Sequence, residues 1–169
     1  MDNFDKIYDW VVVGSGAGSM ASALVMRQAG KSVLILEKTE FVGGTTAKSG
    51  GVFWVPNNRL MREAGEQDSE GAGVRYLESI CEDLPGSTAE KRKAYVTEAN
   101  KMVDFLIEQG VTLERAAEFW PDYYDELDGG CKTSRTVTAR YFDKAELGPI
   151  WSKKLRPGFV SAPVRLSEG

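Results

Sequence analysis

A glycine-rich turn between two apolar segments constrains the fold of this chain more than any other feature. Residues Tyr8 to Val13 are typical of a buried parallel strand, and the sequence GSGAGS at 14–19 follows directly. Residues Ser15 to Ala29 have helical composition and end at Gly30, and Ser32 to Glu37 form a second apolar run. The order strand, glycine turn, helix, strand predicts a βαβ unit.

The glycine turn carries the spacing of a dinucleotide-binding fingerprint. Gly14 permits a tight turn, Gly16 lets the backbone approach a pyrophosphate, and the following helix directs N–H groups at the phosphates. The third fingerprint position is Ser19, a small residue where glycine or alanine is more common. The pattern alone also occurs at helix entries of unrelated α/β proteins. Here the flanking strand and helix agree with an acid, Glu37, after the second strand, so we predict a dinucleotide site.

Two further features bear on which dinucleotide is bound. Glu37 lies 23 positions after Gly14, where its carboxylate can accept hydrogen bonds from ribose hydroxyls. The same charge would repel a 2′-phosphate, which disfavours NADP and leaves NAD and FAD open. The loop GGTTAKSGG at 43–51 has two interpretations. It is either an ordinary flexible glycine loop or a backbone cradle for the flavin end of FAD. We interpret it as the cradle and predict FAD.

The charge of the chain argues against nucleic acid as a partner. The net charge is −4 and the basic residues are scattered, whereas phosphate backbones are bound by clustered Lys and Arg. No stretch approaches the roughly 18 apolar residues of a membrane-spanning helix. We therefore predict no transmembrane segment and leave association with a membrane surface open.

Histidine and cysteine usage narrows the chemistry further. The chain has no histidine, which excludes His-based zinc sites and a Ser-His-Asp triad. Its two cysteines, Cys81 and Cys131, are 50 positions apart without a Cys-x-x-Cys spacing. A disulfide framework and a structural zinc site are therefore not expected. We predict no metal and a reducing, cytoplasmic compartment.

Downstream of the glycine loop the sequence predicts three helices and then less regular structure. A short helix is expected at 58–64, and a second from Asp68 or Ser69 to about Asp83. A third should run from the capping-box sequence at 87–90 to Gln109. Strands are expected near 112–119 and 136–141.

This element count predicts an α/β domain that is only part of a larger protein. Two strands are well marked and three more are weaker, whereas a doubly wound sheet has about five or six. We divide the chain into a βαβ unit with the glycine loop at 1–56, a helical segment at 57–110, and a mixed strand and loop segment at 111–169.

The motifs together resemble a known family. Residues 9–58 are similar to the N-terminus of the fumarate reductase/succinate dehydrogenase flavoprotein superfamily. Within it they most resemble the 3-ketosteroid Δ1-dehydrogenases, through GGTTAKSGGVFWVP at 43–56 and through WPDYY at 120–124 followed by two glycines at 129–130. The resemblance implies a Rossmann-like FAD-binding domain, of which this chain is the N-terminal portion.

The resemblance also implies a set of cofactor-binding residues. Glu37 would hold the ribose, and Lys38 would lie beside the adenine. The pyrophosphate would be held by Gly14, Ser15, Gly16, Ala17, Gly18 and Ser19. The flavin side would be lined by Gly44, Thr45, Thr46, Ser49, Gly50 and Gly51.

A mechanism follows from the same resemblance. A base takes the proton α to a steroid ketone, a hydride leaves the neighbouring carbon for flavin N5, and an external electron acceptor reoxidises the flavin. Tyr123 matches a tyrosine that assists a second, basic tyrosine expected after residue 169, and Trp120 matches a residue that lines the apolar ketone pocket. The alternative is that both are ordinary packing aromatics.

Two other functions stay open. One is a fumarate-reductase-like flavoprotein that acts on a small dicarboxylate, which would need arginines facing the substrate. The other is an FAD-binding fragment without activity of its own, because the later catalytic residues of the family are not in this chain. The WPDYY sequence favours an apolar substrate over a dicarboxylate.

Overall fold

The computed structural model describes residues 5–116 and 120–158. These residues form two compact units. The first contains residues 5–49 and 142–158, and the second contains residues 50–116 and 120–141. Each unit has its own sheet, and the predicted dinucleotide turn belongs to the first.

The first unit begins with the strand–helix–strand order that the sequence predicts. Strand β1 (Trp10–Val13), helix α1 (Ala17–Gln28) and strand β2 (Val33–Leu36) follow one another. The two strands pair in parallel, with Trp10 opposite Val33 and Val13 opposite Leu36. A parallel pair brings the carboxyl ends of both strands to the same edge, beside the N-terminus of α1.

The predicted burial of these two strands is wrong for the described residues. Val11 is 50% exposed, Val13 is 81% exposed and Leu36 is 48% exposed. A parallel sheet ordinarily has both faces covered, and its strands are apolar on both sides for that reason. In the part of the chain that the structure describes, the sheet has two strands and much of its apolar surface is open.

The later part of the first unit returns to the glycine loop. A short 3-10 turn (Lys144–Leu147) leads into α5 (Gly148–Lys154). Past its end, Leu155 forms a parallel bridge with Val42. The Val42 amide donates to the Lys154 carbonyl at 2.8 Å, and the Arg156 amide donates to the Val42 carbonyl at 2.8 Å. Residues 154–156 are thereby fixed beside the loop.

The second unit is built around an antiparallel sheet and three helices. Its sheet has the order β3-β5-β4, and α3 and α4 pack against each other. The bounds are β3 (Val52–Trp54), α2 (Arg59–Glu63), α3 (Glu70–Ile80), α4 (Ala89–Glu108), β4 (Leu113–Arg115) and β5 (Thr136–Ala139). Its core consists of Val55, Ala99, Val103, Leu113 and Val137, each at most 8% exposed.

Side-chain caps set the start of each of these helices. Asn58 accepts a hydrogen bond from the Met61 amide at 3.1 Å, as expected from the predicted start of α2. Ser69, one of the two predicted candidates, caps α3. For α4 the cap is Thr88, one residue after the predicted capping-box serine. Helix α3 ends at Ile80, a few residues before its predicted end.

Candidate functional site

A cleft of about 660 Å³ lies in the first unit, at the carboxyl ends of β1 and β2. This volume is in the usual range for small-molecule and cofactor sites. The lining residues are Val13, Gly14, Ser15, Gly16, Leu36, Glu37, Lys38, Thr39, Gly44, Thr45, Lys48 and Arg156.

The turn between β1 and α1 forms the floor of this cleft. Gly14 has φ +93°, a conformation that side chains disfavour, and its amide donates to the Leu36 carbonyl at 2.6 Å. The first amides of a helix have no partner inside it, and α1 has no side-chain cap at Gly16. The Ala17 amide donates instead to the Thr46 hydroxyl at 3.0 Å. The first turn of α1 is thus the kind of helix start that binds phosphate.

The glycine loop packs directly on this turn. A Cβ at Gly44 would lie 3.2 Å from the Gly16 Cα, so two glycines meet where the backbones approach most closely. Thr46 follows on the same loop and supplies the hydroxyl that holds Ala17. The loop and the fingerprint turn therefore form one continuous backbone surface along the cleft.

Glu37 is held in place by hydrogen bonds at the end of β2. The Ser15 hydroxyl donates to Glu37 Oε2 at 2.5 Å and accepts from the Gly43 amide at 2.9 Å. The Thr39 amide and hydroxyl both lie 3.1 Å from Glu37 Oε1. The Ser15 hydroxyl, followed by the Thr39 amide, lowers the pKa of Glu37 to about 2. Glu37 is therefore an oriented carboxylate at neutral pH.

The structure brings together part of the predicted cofactor set. The predicted residues that line the cleft are Gly14, Ser15, Gly16, Glu37, Lys38, Gly44 and Thr45. Ala17, Gly18 and Ser19 form the first turn of α1. Thr46 binds the Ala17 amide, and Ser49 lies at the end of the loop in the same unit. Gly50 and Gly51 belong to the second unit, where the Gly51 carbonyl accepts from the Ala139 amide at 3.2 Å.

Three polar residues of the cleft are absent from the sequence prediction. Thr39 lies two positions after Glu37, and this short spacing is a local signal that its hydroxyl can bond to the Glu37 carboxylate. Lys48 lies within the glycine loop at 43–51 but is not among the predicted cofactor residues. Arg156 lies 117 positions after Thr39, whose hydroxyl its Nη2 contacts at 2.7 Å. No local pattern in the sequence indicates that Arg156 returns to this cleft.

The predicted substrate-side aromatics lie in the second unit, on the segment 120–131. Tyr123 is 97% exposed, and Trp120 is half-buried. The neighbouring Tyr124 amide donates to the Tyr76 hydroxyl at 3.3 Å. Tyr123 is therefore not a core packing residue within the described chain. Its role in catalysis stays a prediction.

A buried acid anchors the residue that precedes Tyr123. Asp122 Oδ1 accepts from Trp54 Nε1 at 2.6 Å, and its Oδ2 accepts from the Cys131 amide at 3.0 Å and from Arg135 Nη1 at 2.7 Å. The Asp122 side chain is 1% exposed. These bonds fix the backbone at the base of the exposed Tyr123 side chain.

Arg135 is the centre of a buried charge cluster in the second unit. It pairs with Asp68 at 2.6 Å as well as with Asp122, and its guanidinium lies 5.6 Å from the Trp54 ring and 5.8 Å from the Tyr76 ring. Burial by itself would raise the pKa of Asp68, but the hydrogen bonds from Arg135 and the Asn57 amide lower the pKa overall. The Arg135 guanidinium therefore has hydrogen-bonded acceptors on both Asp68 and Asp122.

Two further properties concern the described residues alone. No helix in 5–116 or 120–158 is long and apolar enough to cross a membrane. Within the same residues there is no group of three or more Cys, Asp or Glu side chains arranged to hold a metal ion.

The family follows from a match over most of the chain. Residues 9–154 match the model of the FAD binding domain family. The chain belongs to this family. The predicted choice of FAD over NAD is thereby confirmed, and the mixed helix and strand content agrees with an FAD-binding domain.

Known relatives include several dehydrogenases. The 3-oxosteroid 1-dehydrogenase of Mycolicibacterium smegmatis is 36% identical over 94% of this chain and 27% of its own length. The 4-oxocyclohexanecarboxylate 2-dehydrogenase of Sinomonas cyclohexanicum is 39% identical over 83% of this chain and 24% of its own length. The predicted resemblance to 3-ketosteroid Δ1-dehydrogenases is confirmed. The chain spans about a quarter of the length of these relatives.

A solved structure has the same fold. The 3-ketosteroid delta1-dehydrogenase from Sterolibacterium denitrificans, in complex with 1,4-androstadiene-3,17-dione, superposes with a TM-score of 0.77 at 36% identity. The superposition covers 90% of this chain and 26% of that chain.

The cleft fits the adenosine and pyrophosphate half of FAD. Close glycine backbone and the start of α1 suit a pyrophosphate, and the ionised Glu37 suits ribose hydroxyls. Lys38, Lys48 and Arg156 add three cationic side chains to the lining. These three positive charges and the one negative charge of Glu37 leave the lining with a net positive charge, which favours a dianionic ligand.

Proposed function

We propose that this chain is the Rossmann-like part of a flavin dehydrogenase that binds the adenosine and pyrophosphate of FAD. The observation that carries this proposal is the cleft in which the fingerprint turn, the glycine loop and the ionised Glu37 meet. Membership of the FAD binding domain family supports the same assignment.

Each part of the cleft has a distinct binding role in this proposal. The turn at 14–19 holds the pyrophosphate through its backbone and the start of α1. Glu37 accepts from a ribose hydroxyl, since Ser15 and Thr39 occupy only part of the acceptor capacity of its carboxylate. Lys38 lies beside the adenine. The flavin side is assigned to Gly44, Thr45, Thr46, Ser49, Gly50 and Gly51.

The reaction that we propose for the whole enzyme is the desaturation of a ring ketone. When bound, FAD supplies the hydride acceptor at flavin N5. The names of the two relatives agree on the position: a 3-oxo compound is dehydrogenated at carbon 1, and a 4-oxo compound at carbon 2. The named carbon is in each case two positions from the ketone, so a proton leaves the carbon between them.

Tyr123 and Trp120 are the residues of this chain that we assign to the substrate side. Tyr123 extends a free side chain from a segment fixed by buried Asp122, which suits a hydroxyl that assists a basic tyrosine. Trp120, which is half-buried, is assigned to the apolar wall of the ketone pocket. The basic tyrosine that Tyr123 would assist has an ordinary pKa of about 10, so that second residue needs neighbouring donors to act at neutral pH.

The substrate class that we favour is a 3-ketosteroid. The structural neighbour at TM-score 0.77 was solved with a steroid dione, and the M. smegmatis relative is named for 3-oxosteroids. A second candidate is a monocyclic oxo acid, since the S. cyclohexanicum relative is 39% identical.

We also propose an external electron acceptor that reoxidises the flavin. A reducing, cytoplasmic setting is proposed because Cys81 and Cys131 are both free thiols.

Cofactor binding is tested on the chain itself. The purified protein should carry or take up FAD, with flavin absorbance at about 450 nm. Glu37→Ala should weaken FAD binding by about tenfold or more, because hydrogen bonds to a charged group are lost. Glu40→Ala is the matched control, since Glu40 is an exposed acid three positions away. Equal dissociation constants for the two variants in a flavin fluorescence titration would contradict the ribose assignment.

The activity is tested by turnover of the whole enzyme with an artificial dye as acceptor. A 3-ketosteroid and 4-oxocyclohexanecarboxylate are compared, and the larger kcat/KM identifies the substrate class. Tyr123→Phe should lower kcat while leaving the flavin spectrum unchanged. Unchanged turnover in that variant would remove Tyr123 from the mechanism.

A further inference from the structure

Arg156 reaches the dinucleotide cleft from a distant part of the chain. Its amide donates to the Val42 carbonyl at 2.8 Å, which fixes its backbone beside the glycine loop. Its side chain lines the same cleft as Glu37 and the fingerprint turn. An arginine placed in this way by long-range backbone pairing has a defined position relative to the turn.

The guanidinium of Arg156 is only partly satisfied by protein acceptors. Nη2 donates to the Thr39 hydroxyl at 2.7 Å and to the Phe41 carbonyl at 3.4 Å. The Nε atom is buried and has no hydrogen-bond partner among the described residues. A buried donor on a charged group is costly to leave unpaired, so an acceptor supplied by a bound ligand would stabilise this side chain.

The charges around Arg156 indicate what that acceptor is. Among the described residues, no carboxylate lies within ion-pair distance of Arg156. Thr39 separates it from Glu37, since the Thr39 hydroxyl contacts both side chains. Within residues 5–116 and 120–158, its positive charge therefore has no carboxylate partner. The planar fork of arginine matches phosphate oxygens in geometry and in charge.

We propose that Arg156 binds the pyrophosphate of the dinucleotide. The site is thus completed by a segment more than a hundred residues after the fingerprint. This inference rests on the proposed function for the identity of the ligand. The chemical class it requires is a nucleoside diphosphate, of which ADP is the smallest probe.

The test measures dissociation constants of FAD, ADP and adenosine by isothermal titration for the wild type, Arg156→Gln and Arg156→Lys. Arg156→Gln should weaken FAD and ADP by about tenfold, because a charge-assisted bond to phosphate is lost. Adenosine should change less than about twofold, since it has no phosphate. Arg156→Lys, which keeps the charge, should recover part of the loss.

The salt dependence separates a phosphate contact from a purely structural role. Raising the salt concentration screens charge attraction, so it should weaken ADP binding by the wild type more than by Arg156→Gln. The control is Arg27→Gln in the last turn of α1. This removes one positive charge of the same unit roughly 15 Å along the helix from the turn. The control should bind ADP as the wild type does.

Three results would overturn the inference. One is ADP binding by Arg156→Gln within twofold of the wild type. Another is an equal loss for adenosine and ADP, which would place the contact on the nucleoside. The third is the same loss in Arg27→Gln, which would make the effect one of overall charge. ADP binding that depends on Arg156 in a protein that does not bind FAD would refute the proposed function and support this inference.

Discussion

The two sheets of this chain differ in how their apolar side chains are covered. In the second unit, Val137 on β5 is fully buried and Leu113 on β4 is 8% exposed. In the first unit, Val13 on β1 is 81% exposed and Leu36 on β2 is 48% exposed. Both sheets contain apolar strand residues. An apolar strand therefore predicts that its side chains are buried against other elements. Whether such elements pack on it is decided by the tertiary fold.

The two units also treat charge in opposite ways. The second unit neutralises its buried charges internally, with Arg135 between Asp68 and Asp122. The first unit keeps Glu37 and Arg156 along an open cleft, where neither pairs with the other. Internal pairing favours a stable scaffold, whereas unpaired charge in a cleft favours a ligand. The second unit is therefore a structural region, and the first unit contains the candidate binding region.

The largest expected effect is on the buried charge cluster. Arg135→Met should lower the free energy of unfolding by about 3–5 kcal/mol, because two buried carboxylates lose their shared cation. Urea titration followed by circular dichroism measures this change. The control is Arg59→Met, which removes an exposed pair with Glu63 and should leave the free energy of unfolding nearly unchanged. A loss below about 1 kcal/mol for Arg135→Met would show that the cluster is not the rigid centre of the second unit.

The next effect compares a valine in the core of the second unit with an exposed valine in the sheet of the first unit. Val103→Ala should cost about 2 kcal/mol, since Val103 is fully buried in the core on α4 and two methyl groups are lost. Val13→Ala should stay within about 0.5 kcal/mol, because Val13 is largely exposed. Both values come from urea titrations under one set of conditions. A comparable cost at Val13 would mean that β1 is covered in solution, for example by a second copy of the chain.

Local signals in the sequence predict most of the secondary structure. The start of α2 at Asn58 and the order β1, α1, β2 follow from short patterns, because caps and strand–turn–helix motifs act over a few residues. The cap of α4 differs by one residue, since Ser87 and Thr88 are adjacent and both can accept a hydrogen bond. Such neighbouring candidates are not separated by sequence alone.

Long-range pairing accounts for what the sequence did not predict. The antiparallel pairing of β3 with β5 joins strands more than 80 positions apart, which no local pattern specifies. Arg156 is a second case, because its place in the cleft depends on the bridge between Val42 and Leu155. Ser15 is a third: its place in the fingerprint predicts a pyrophosphate contact, but the bond of its hydroxyl to Glu37, 22 positions later, depends on the pairing of β1 with β2.

The smallest expected effect concerns this Ser15 hydroxyl. Ser15→Ala should raise the pKa of Glu37 from about 2 toward its ordinary 4.5, because the largest cause of the lowering is removed. A carbon NMR titration of the Glu37 carboxyl measures the change. Ser19→Ala is the control, since Ser19 lies on the first turn of α1 and is not one of the residues that lower the pKa of Glu37.

The sign of the pH effect follows from the direction of this shift. Glu37 has a lower pKa in the folded chain than in the unfolded chain, so its contribution to stability is complete above pH 4.5 and is lost as the pH falls toward 2. In Ser15→Ala this contribution should be smaller and its loss should be complete nearer to pH 4.5, and FAD binding should weaken as the carboxylate is protonated over that range. An unchanged Glu37 pKa would mean that Thr39 alone orients the carboxylate. The charge of the cleft would then be fixed within the β2 segment, independently of the fingerprint turn.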